Sequence, residues 1–483
     1  MNVRTQPSHI AGGLFFPVLV FVVFASPAIA AGWGLEDPLL TVPDVIKSGV
    51  TLPGDDGVTP CPVEKDFTTP LALDEAVDLA LCNNPQIKSA WANIKVEAGA
   101  LGEADAAYLP TVSGSFSRLK DRTSFPDNSN IPGSRIISNT VFGTFSWRLF
   151  DFGTRSANRE AAQKLLAAAL ANHDATLQKS LSAVIEAYFD VYTTRAAFLA
   201  KTKSEEIANS TLISAKKRET RGASAQSDTL QASTALAKAT LEKNRAQGAY
   251  QKALSVLVYS LGVPGNTQVS LPDTIDETSD HDDRDLSDWL EHAQKSHPAI
   301  LAARAELEAA QKKVEATRAD GLPTLDLTGN YYENGRPEQP LTATKTREST
   351  VGLVISVPLF EGFSRTYKIR GAEAQAEEKE AGLADTEHQI MMEVVKAHAD
   401  ATSSLQNLQA SQDLLRSAQD ALSVSKRKYD KGAADILELL NTQAALADAE
   451  QERIRSLAEW RAARLKLLAS AGLMGRYAVE KRP

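Results

Sequence analysis

The sequence has almost no long apolar stretches. The run Leu14–Phe24 has about eleven residues, whereas a helix needs roughly 20 to span a bilayer. The rest of the chain has no uninterrupted apolar segment of spanning length. If the protein crosses a membrane, it must therefore cross as β-strands, because only helices and closed sheets pair every backbone polar group in lipid.

Basic surfaces and catalytic side chains are also scarce. The formal net charge is −9, and the 52 Lys and Arg residues are scattered among 61 Asp and Glu residues. Nucleic-acid binding needs a concentrated basic face, so we expect none. The seven histidines and the scattered serines form no set of nucleophile, base and acid. We therefore expect no enzymatic activity, no cofactor and no metal site.

The N-terminus has the features of an export signal. Arg4, the run Leu14–Phe24 and the small residues Ala28-Ile29-Ala30 match the charged region, apolar region and cleavage site of a secretory signal peptide, residues 1–30. The alternative is a membrane anchor, for which the apolar run is too short. No cysteine directly follows the cleavage site, which argues against a lipid anchor.

The chain has only two cysteines, Cys61 and Cys82. An exported protein can form disulfides. A bridge between them would tie the N-terminal segment, residues 31–70, to the start of the first helix and would stabilise the fold by roughly 3 kcal/mol. The alternative is a pair of unpaired thiols.

The most informative feature is an internal duplication at an offset of about 210 residues. Asn84-Pro85 recurs as His297-Pro298, Leu109-Pro110-Thr111 as Leu322-Pro323-Thr324, Leu149-Phe150-Asp151 as Leu359-Phe360-Glu361, Gly222 as Gly432, and Ser260-Leu261-Gly262 as Ser470-Ala471-Gly472. We interpret residues 71–270 and 286–473 as two copies of one unit, followed by a C-terminal tail, 474–483. The acidic segment 271–285 between them lacks the glycine and ligand spacing of a calcium loop, which indicates a solvated linker.

Apolar spacings of three and four predict the helices of each copy. Leu73–Tyr108 is predicted helical with a break at Asn84-Pro85, where proline removes an interior hydrogen bond. Two long proline-free segments follow, from Thr154 to about Arg218 and from Ser364 to about Lys428. We predict that each is a single long helix, called a rod here. At 1.5 Å per residue each rod measures roughly 100 Å. Shorter helices return over 227–261 and 435–471, so that two short helices stacked end to end can lie beside each rod.

The segments between the short helices and the rods have a sequence period of two. Within them, apolar and polar residues alternate over Val141–Leu149, Thr324–Tyr331 and Thr350–Val357. Such runs of about ten residues have the length of tilted membrane strands with an apolar outer face and a polar inner face. The segments between paired strands, 121–138 and 333–348, are rich in Pro, Asn, Gly and charge, so we predict exposed loops.

Four strands per chain cannot close a membrane barrel, because the smallest such barrels have eight. Two chains would give eight strands with an interior filled by side chains, whereas three would give twelve and an aqueous passage. We therefore predict a mixed α+β membrane protein. We expect it to assemble as a homotrimer, in which a twelve-stranded barrel is continued by an α-helical coiled-coil tunnel in the periplasm.

Both rods end at a glycine, Gly222 or Gly432, which permits the left-handed turn that often follows a helix. A basic triplet precedes each glycine; the candidates in these triplets are Lys216, Arg218, Lys426 and Lys428. Cations in the last turn complement the helix dipole. A docking surface is the alternative interpretation of the same residues.

Several motifs occur in a fixed order: Leu71-Ala72-Leu73-Asp74-Glu75-Ala76-Val77, Ala80-Leu81-Cys82-Asn83-Asn84-Pro85, Tyr108-Leu109-Pro110, the two Leu-Phe turns, Ala187-Tyr188-Phe189-Asp190 and the two glycine tips. In these motifs the chain resembles the TolC family of outer-membrane channel proteins over roughly residues 70–472. The resemblance implies a trimeric channel in outer-membrane lipid. It also implies docking, through a periplasmic adaptor (membrane fusion) protein, to an inner-membrane pump.

The resemblance also implies a gate at the periplasmic tips. Glu438 and Asn441 correspond to two acidic ring positions, Tyr429 to a latch tyrosine and Asp228 to an acid of the closing network. Asp228 and Glu438 have the alternative role of acids favoured by a helix N-terminus.

This chain departs from the family pattern at two gate positions. Asn441 is uncharged, and Ala434 stands where the resemblance implies an arginine. We therefore expect a different latch, or one that uses Lys431 or Arg221. The same resemblance makes the tip glycines and basic triplets candidates for adaptor docking.

Two functions fit the resemblance. The first is the outer-membrane exit duct of a type I secretion system. Its inner-membrane ABC transporter exports an unfolded protein such as a haemolysin- or cyclolysin-type toxin. The absent lipid-attachment cysteine and the pair Cys61 and Cys82 favour it. The second is an efflux pump for drugs or other small molecules. A periplasmic spacer without a pore is a third class, against which the four alternating strands argue.

Overall fold

The computed structural model describes residues 37–43, 61, 65–124, 133–222, 225–273, 284–334, 345–431, 433–434 and 436–474. The predicted signal peptide, most of the N-terminal segment, most of the acidic linker, Gly432 and nearly all of the C-terminal tail lie outside the described residues. The chain divides into Met1–Leu40 and Thr41–Pro483, and the description below concerns the second unit.

The two copies have the same order of elements. The first contains α1 (Leu73–Asn83), α2 (Pro85–Ala106), β1 (Thr111–Thr123), β2 (Ser134–Phe150), α3 (Thr154–Thr220) and α4 (Gln226–Ser260). The second contains α5 (Leu286–Ser296), α6 (Pro298–Ala319), β3 (Thr324–Glu333), β4 (Arg347–Ser356), α7 (Ser364–Asp430) and α8 (Ile436–Ser470). The four helices have 11, 22, 67 and 35 residues in both copies, so the sequence duplication is a duplication of structure.

A proline and a capping side chain separate the two short helices at the start of each copy. Pro85 opens α2, and the Asn84 Oδ1 accepts a hydrogen bond from the Gln86 backbone N–H at 2.8 Å. In the second copy Pro298 opens α6, and the His297 Nδ1 accepts from the Ala299 N–H at 3.2 Å. The break therefore lies where the sequence predicts it, because proline is tolerated only at the first turn of a helix.

The return helices end against these breaks. Gly262 follows α4 with φ +69°, and a Cβ there would lie 2.7 Å from the carbonyl carbon of Asn83. Gly472 follows α8 with φ +76°, and a Cβ there would lie 3.2 Å from the Cα of His297. Each long rod thus lies beside a return helix and a pair of short helices that meet end to end.

A disulfide joins Cys61 to Cys82 in α1, with 5.5 Å between their Cα atoms. Nearby, Lys65 Nζ forms an ion pair with Glu75 at 2.7 Å. These contacts attach the end of the N-terminal segment to both ends of α1, through Glu75 in its first turn and Cys82 in its last turn.

The strands form one antiparallel sheet in the order β1-β2-β3-β4, in which β2 and β3 join the two copies. β3 and β4 have the expected ten residues each. β1 and β2 are longer than predicted, with 13 and 17 residues. Part of the predicted loop 121–138 is strand. The pairing between β1 and β2 continues into it, with Asp121 opposite Ile136 and Arg122 opposite Arg135.

The sheet has one polar and one apolar face. The polar face, called here the hydroxyl face, carries Thr111, Ser113, Ser115, Ser117, Thr140, Thr144, Ser146, Thr328, Asn330 and Thr350, interrupted by a few other residues. The opposite face carries Val112, Phe116, Val141, Phe145, Trp147, Leu325, Leu327, Tyr331, Val351, Leu353 and Ile355. Many of these apolar side chains are exposed, Val112, Val351 and Ile355 by 70% or more. Alternation of this kind suits a wall between lipid and water.

The two long rods are packed unequally. α3 contacts α2 and α4 of its own copy and α6 and α8 of the other, and it buries 23 residues. α7 contacts α5, α6 and α8, and only eight of its described residues are buried: Ala372, Ile390, Val394, Ala397, Ser404, Ser411, Ala418 and Ser425. Among the described residues, α7 therefore lacks contacts with the first copy that are comparable to those of α3 with the second copy.

None of the helices in the described part of the chain combines the length and the apolar character needed to cross a membrane.

Candidate functional site at the helix tips

The helix tips of the two copies, where each rod ends and its return helix begins, meet in a small apolar cluster. Leu212 and Ala215 of α3, Ala232 of α4 and Ile436 of α8 are buried together, with Leu236, Tyr429 and Leu440 packed against them. The tips predicted separately from Gly222 and Gly432 are thus parts of one site.

The turns that end the rods have the hydrogen bonds of a glycine-terminated helix. Gly222 has φ +70°, and its N–H donates to the Glu219 carbonyl oxygen at 2.8 Å. After α7, the Ala433 N–H donates to the Lys428 carbonyl oxygen at 2.8 Å. A Schellman motif contains two hydrogen bonds, one from the N–H of the left-handed residue and one from the N–H of the residue after it. The first copy shows the former bond and the second copy shows the latter. Gly432 itself lies outside the described residues.

A cation–π contact links the two tips. The Arg218 guanidinium lies 4.8 Å from the centre of the Tyr429 ring. The sequence predicts either a different latch or one that uses Lys431 or Arg221. The cation that lies over the ring is Arg218, from the other copy. The Tyr429 hydroxyl is buried and has no hydrogen-bond partner among the described residues.

Each rod is also connected to its own return helix. Lys428 Nζ lies 3.4 Å from Glu438 Oε1. In the first copy Thr229 Oγ1 donates to Glu219 Oε2 at 2.5 Å. The contact between Glu219 and Thr229 was not predicted, although its ten-residue spacing equals that of Lys428 and Glu438.

The other predicted gate and docking residues lie around this cluster. Asp228 is half-exposed and accepts a hydrogen bond from the Ser227 hydroxyl at 3.3 Å. It occupies the position that Glu438 has in the second copy. Asn441, Lys216 and Lys426 are exposed. The structure thus brings Arg218, Tyr429, Lys428 and Glu438 into direct contacts, whereas the other polar candidates are half-exposed or exposed.

The described residues of the tips include no cluster of metal-ligating side chains. Within the described ranges, no group of three or more His, Cys, Asp or Glu side chains is placed to hold a metal ion. The site consists of a packed apolar centre with ionic and cation–π contacts around it, which can hold helix ends together or release them.

Comparison with known proteins identifies the architecture. A family model described as outer membrane efflux protein matches residues 76–263 and 289–473. Protein CyaE of Bordetella pertussis is 34% identical over 467 residues, covering 96% of this chain and 97% of CyaE. The chain belongs to the outer membrane efflux protein family.

Two further comparisons agree with this membership. The alkaline protease secretion protein AprF of Pseudomonas aeruginosa is 26% identical over 420 residues, or 84% of this chain and 85% of AprF. The solved structure of the CmeC outer membrane channel of Campylobacter jejuni matches with a TM-score of 0.74 at 18% identity, over 89% of this chain and 95% of CmeC. The predicted resemblance to TolC-family channels is confirmed, and with it the α+β channel fold. As a member of the outer membrane efflux protein family, the protein lies in the cell outer membrane with its helices in the periplasm.

Proposed function

We propose that three copies of this chain form an outer-membrane exit duct for a type I secretion system. Their twelve strands close a barrel, and their helices continue it as a periplasmic tunnel. The duct receives an unfolded protein, such as a haemolysin- or cyclolysin-type toxin, from an inner-membrane ABC transporter through a periplasmic adaptor protein.

The unequal packing of α3 and α7 supports the trimer. Within one chain, α3 contacts α6 and α8 of the second copy. Since the two copies are equivalent, α7 requires the same contacts with α2 and α4 of a neighbouring chain. Repetition of that contact around an axis closes a ring, as expected for a head-to-tail interface.

The observation that carries the cargo assignment is similarity over nearly the whole chain to CyaE, together with AprF, whose name assigns it to the secretion of a protease. The alternative function, as the outer-membrane component of an efflux pump for drugs or other small molecules, is supported by the family description. Both functions use the same architecture and differ in pump and cargo.

We further propose that the tips form the gate. In the proposed closed gate, Arg218 lies over Tyr429 and Lys428 pairs with Glu438, which are the two contacts described above. Opening separates the two copies at this point, and Asp228 and Asn441 face the passage. The turns at Gly222 and Gly432, with the exposed Lys216 and Lys426, offer the docking surface for the adaptor.

A gene deletion tests the cargo assignment. Culture supernatants of the deletion strain, analysed by mass spectrometry, should lack one or a few large secreted proteins, while growth in a panel of toxic small molecules stays unchanged. Complementation with the wild-type gene should restore these proteins, and the empty vector should not. Increased drug sensitivity with an unchanged set of secreted proteins would establish efflux instead, and both effects together would mean a shared duct.

A further inference from the structure

Two pairs of large apolar side chains are exposed on the helices. Val256 and Tyr259, near the end of α4, are three residues apart and therefore lie on one face of that helix. Met392 and Val395 of α7 have the same spacing. Tyr259 is 80% exposed, and the other three are about half-exposed. The helices lie in the periplasm, so lipid does not cover these residues, and apolar surface of this kind marks a site that binds another protein.

The internal duplication identifies the equivalent position of each exposed residue. The rods begin at Thr154 and Ser364, 210 residues apart, and the return helices begin with the same offset. Each residue of α3 or α4 thus matches one residue of α7 or α8. The relevant matches are Val256 with Lys466, Tyr259 with Ala469, Met392 with Ser182, Val395 with Ile185 and Lys396 with Glu186.

Within one chain, the matched residues belong to the contact between α3 and α8. The Lys466 Nζ lies 3.0 Å from the Glu186 Oε1, so these two residues are opposite each other. Ala469, one turn beyond Lys466, and Ile185, next to Glu186, are buried in the same apolar cluster. These positions therefore hold the two copies together wherever the chain itself supplies the neighbouring helix.

The direction of the helices determines which other residues meet. Lys201 of α3 pairs with Asp448 of α8 at 3.0 Å, so a later residue of α3 meets an earlier residue of α8, and the two helices are antiparallel. One turn forward along α8, at Ala469, therefore corresponds to one turn back along α3, at Ser182. Both of these residues are small.

The same contact between chains would bring α4 of one chain onto α7 of its neighbour. Val256 would lie opposite Lys396, and Tyr259 would lie opposite Met392 with Val395 beside it. Both members of the ion pair within the chain are thus exchanged for a valine and a lysine. The two small residues are exchanged for two large apolar residues. Because both sides change together, each side supplies an apolar surface that covers the other.

We propose that Val256 and Tyr259 of one chain pack against Met392 and Val395 of the next chain in the trimer. The inference rests on the proposed function, because it requires the ring of three chains. The contact places the Tyr259 ring next to the Met392 thioether, a favourable pairing of ring and sulfur. Between chains, apolar burial takes the place of the ion pair that joins the copies within a chain, so salt should weaken this contact little.

Photocrosslinking of the full-length protein in outer membranes tests the contact. Replacement of Tyr259 by the photoreactive p-benzoylphenylalanine keeps an aromatic side chain at an exposed position. After irradiation, denaturing gels should show products with the masses of two and three chains. Mass spectrometry should locate the link in the α7 peptide that contains Met392 and Val395. The reciprocal probe at Met392 should form its link with the α4 peptide that contains Val256 and Tyr259.

Leu199 of α3 provides a control position for the probe. It is 56% exposed, which is comparable to Val256, and its helix already contacts α4 and α8 of the same chain. The same probe at Leu199 should therefore form no link to α7 of another chain.

Matched serine variants measure how much the contact contributes to the assembly. Val256→Ser with Tyr259→Ser should raise the protein concentration at which the detergent-solubilised trimer dissociates by at least about tenfold. The reason is that burial of one large apolar side chain corresponds to about a tenfold change in an equilibrium constant. Leu199→Ser with Ile213→Ser, which removes two exposed apolar residues from α3, should leave that concentration unchanged.

The outcomes separate this inference from the proposed function. A wild-type protein whose mass by light scattering in detergent is not that of three chains would overturn the proposed assembly. A trimer whose Tyr259 and Met392 probes link only within one chain, to another protein or to nothing would overturn this inference alone, as would equal dissociation of the two serine variants. Reciprocal links between α4 and α7 of different chains support it.

Discussion

Gly262 lies so close to Asn83 that a Cβ on the glycine would be 2.7 Å from the Asn83 carbonyl carbon. The neighbouring atoms are backbone, so a rotamer change cannot relieve the clash. The glycine also has φ +69°, which side chains disfavour. This contact positions the end of α4 on the junction of α1 and α2.

Gly262→Ala should therefore lower the free energy of unfolding by at least about 3 kcal/mol, because it combines backbone strain with a clash. Gly222→Ala provides a matched control, since Gly222 has φ +70° but open space around it. It should cost only about 1 kcal/mol. Thermal unfolding in detergent, followed by circular dichroism, measures both. Equal losses in the two variants would contradict the close contact at Gly262.

His297 should make stability depend on acidity. Burial lowers the pKa of its imidazole to about 4, below the ordinary value of about 6.5. Above pH 6.5 the ring is neutral in both the folded and the unfolded chain, so its contribution to the free energy of unfolding is complete. It is lost as the pH falls towards 4, where the unfolded chain binds a proton that the folded chain excludes, to a total of about 3 kcal/mol.

His297→Asn should remove this dependence and keep the helix cap, because asparagine caps α2 at the equivalent position, Asn84. Urea unfolding of detergent-solubilised protein between pH 7 and pH 4.5 measures the difference. The exposed His388 provides the control, and His388→Asn should unfold with the pH dependence of the wild type. A wild-type protein that is equally stable across this range would refute the prediction.

Neutralising the tip acids should favour an open channel. Asp228→Asn with Glu438→Gln removes the pair between Lys428 and Glu438, whose side chains are about half-exposed. Such pairs contribute up to about 1 kcal/mol, so the open fraction should rise up to about fivefold. Conductance in planar bilayers records this, with Glu380→Gln, a change far from the tips on α7, as control. Unchanged currents would leave Asp228 and Glu438 as acids of the helix starts only.

A second ion pair should control charge preference. Arg148 Nε lies 2.9 Å from Asp326 Oδ1 on the hydroxyl face, next to the helices. Asp326→Asn leaves the guanidinium unpaired and should shift the reversal potential in a KCl gradient towards anions. Arg148→Gln should shift it towards cations, and the double variant should return close to the wild type. Equal reversal potentials in all four proteins would mean that the pair does not line the passage.

The disulfide should add measurable stability. Cys61→Ser with Cys82→Ser removes a link across a sequence separation of 21 residues, and loop-closure arguments give a loss of about 3 kcal/mol. Thermal unfolding with and without a reductant measures this, and the reductant should affect only the wild type. Reaction of the unfolded, unreduced wild type with a thiol reagent would show instead that the cysteines are unpaired.

The helical part of the fold can be predicted from local sequence, because its signals are local. Pro85 and Pro298 can only open a helix, and Gly222 permits the turn that ends a rod. The far ends of β1 and β2 carry no such signal. Between Ser117 and Thr123 the residues are mostly polar, and backbone pairing with β2 alone makes them a strand.

The contacts at the tip could be predicted only in part. The sequence indicates Tyr429 and Glu438 through their distance from the second tip glycine. The partner of Tyr429, Arg218, lies in the other copy, and the contact depends on how α3 of the first copy packs against α8 of the second. The stacking of Phe142 on Tyr332 is equally non-local, because it depends on the register between β2 and β3.

The equal lengths of the rods limit how this protein can evolve. Deleting seven residues from α3 alone would withdraw its tip by about 10 Å from Tyr429. A change of length in one rod can thus be inherited only with the same change in the other, whereas a hairpin can lengthen independently. In this chain both rods have 67 residues. The strands differ in length between the copies, with 13 and 17 residues in β1 and β2 but ten each in β3 and β4.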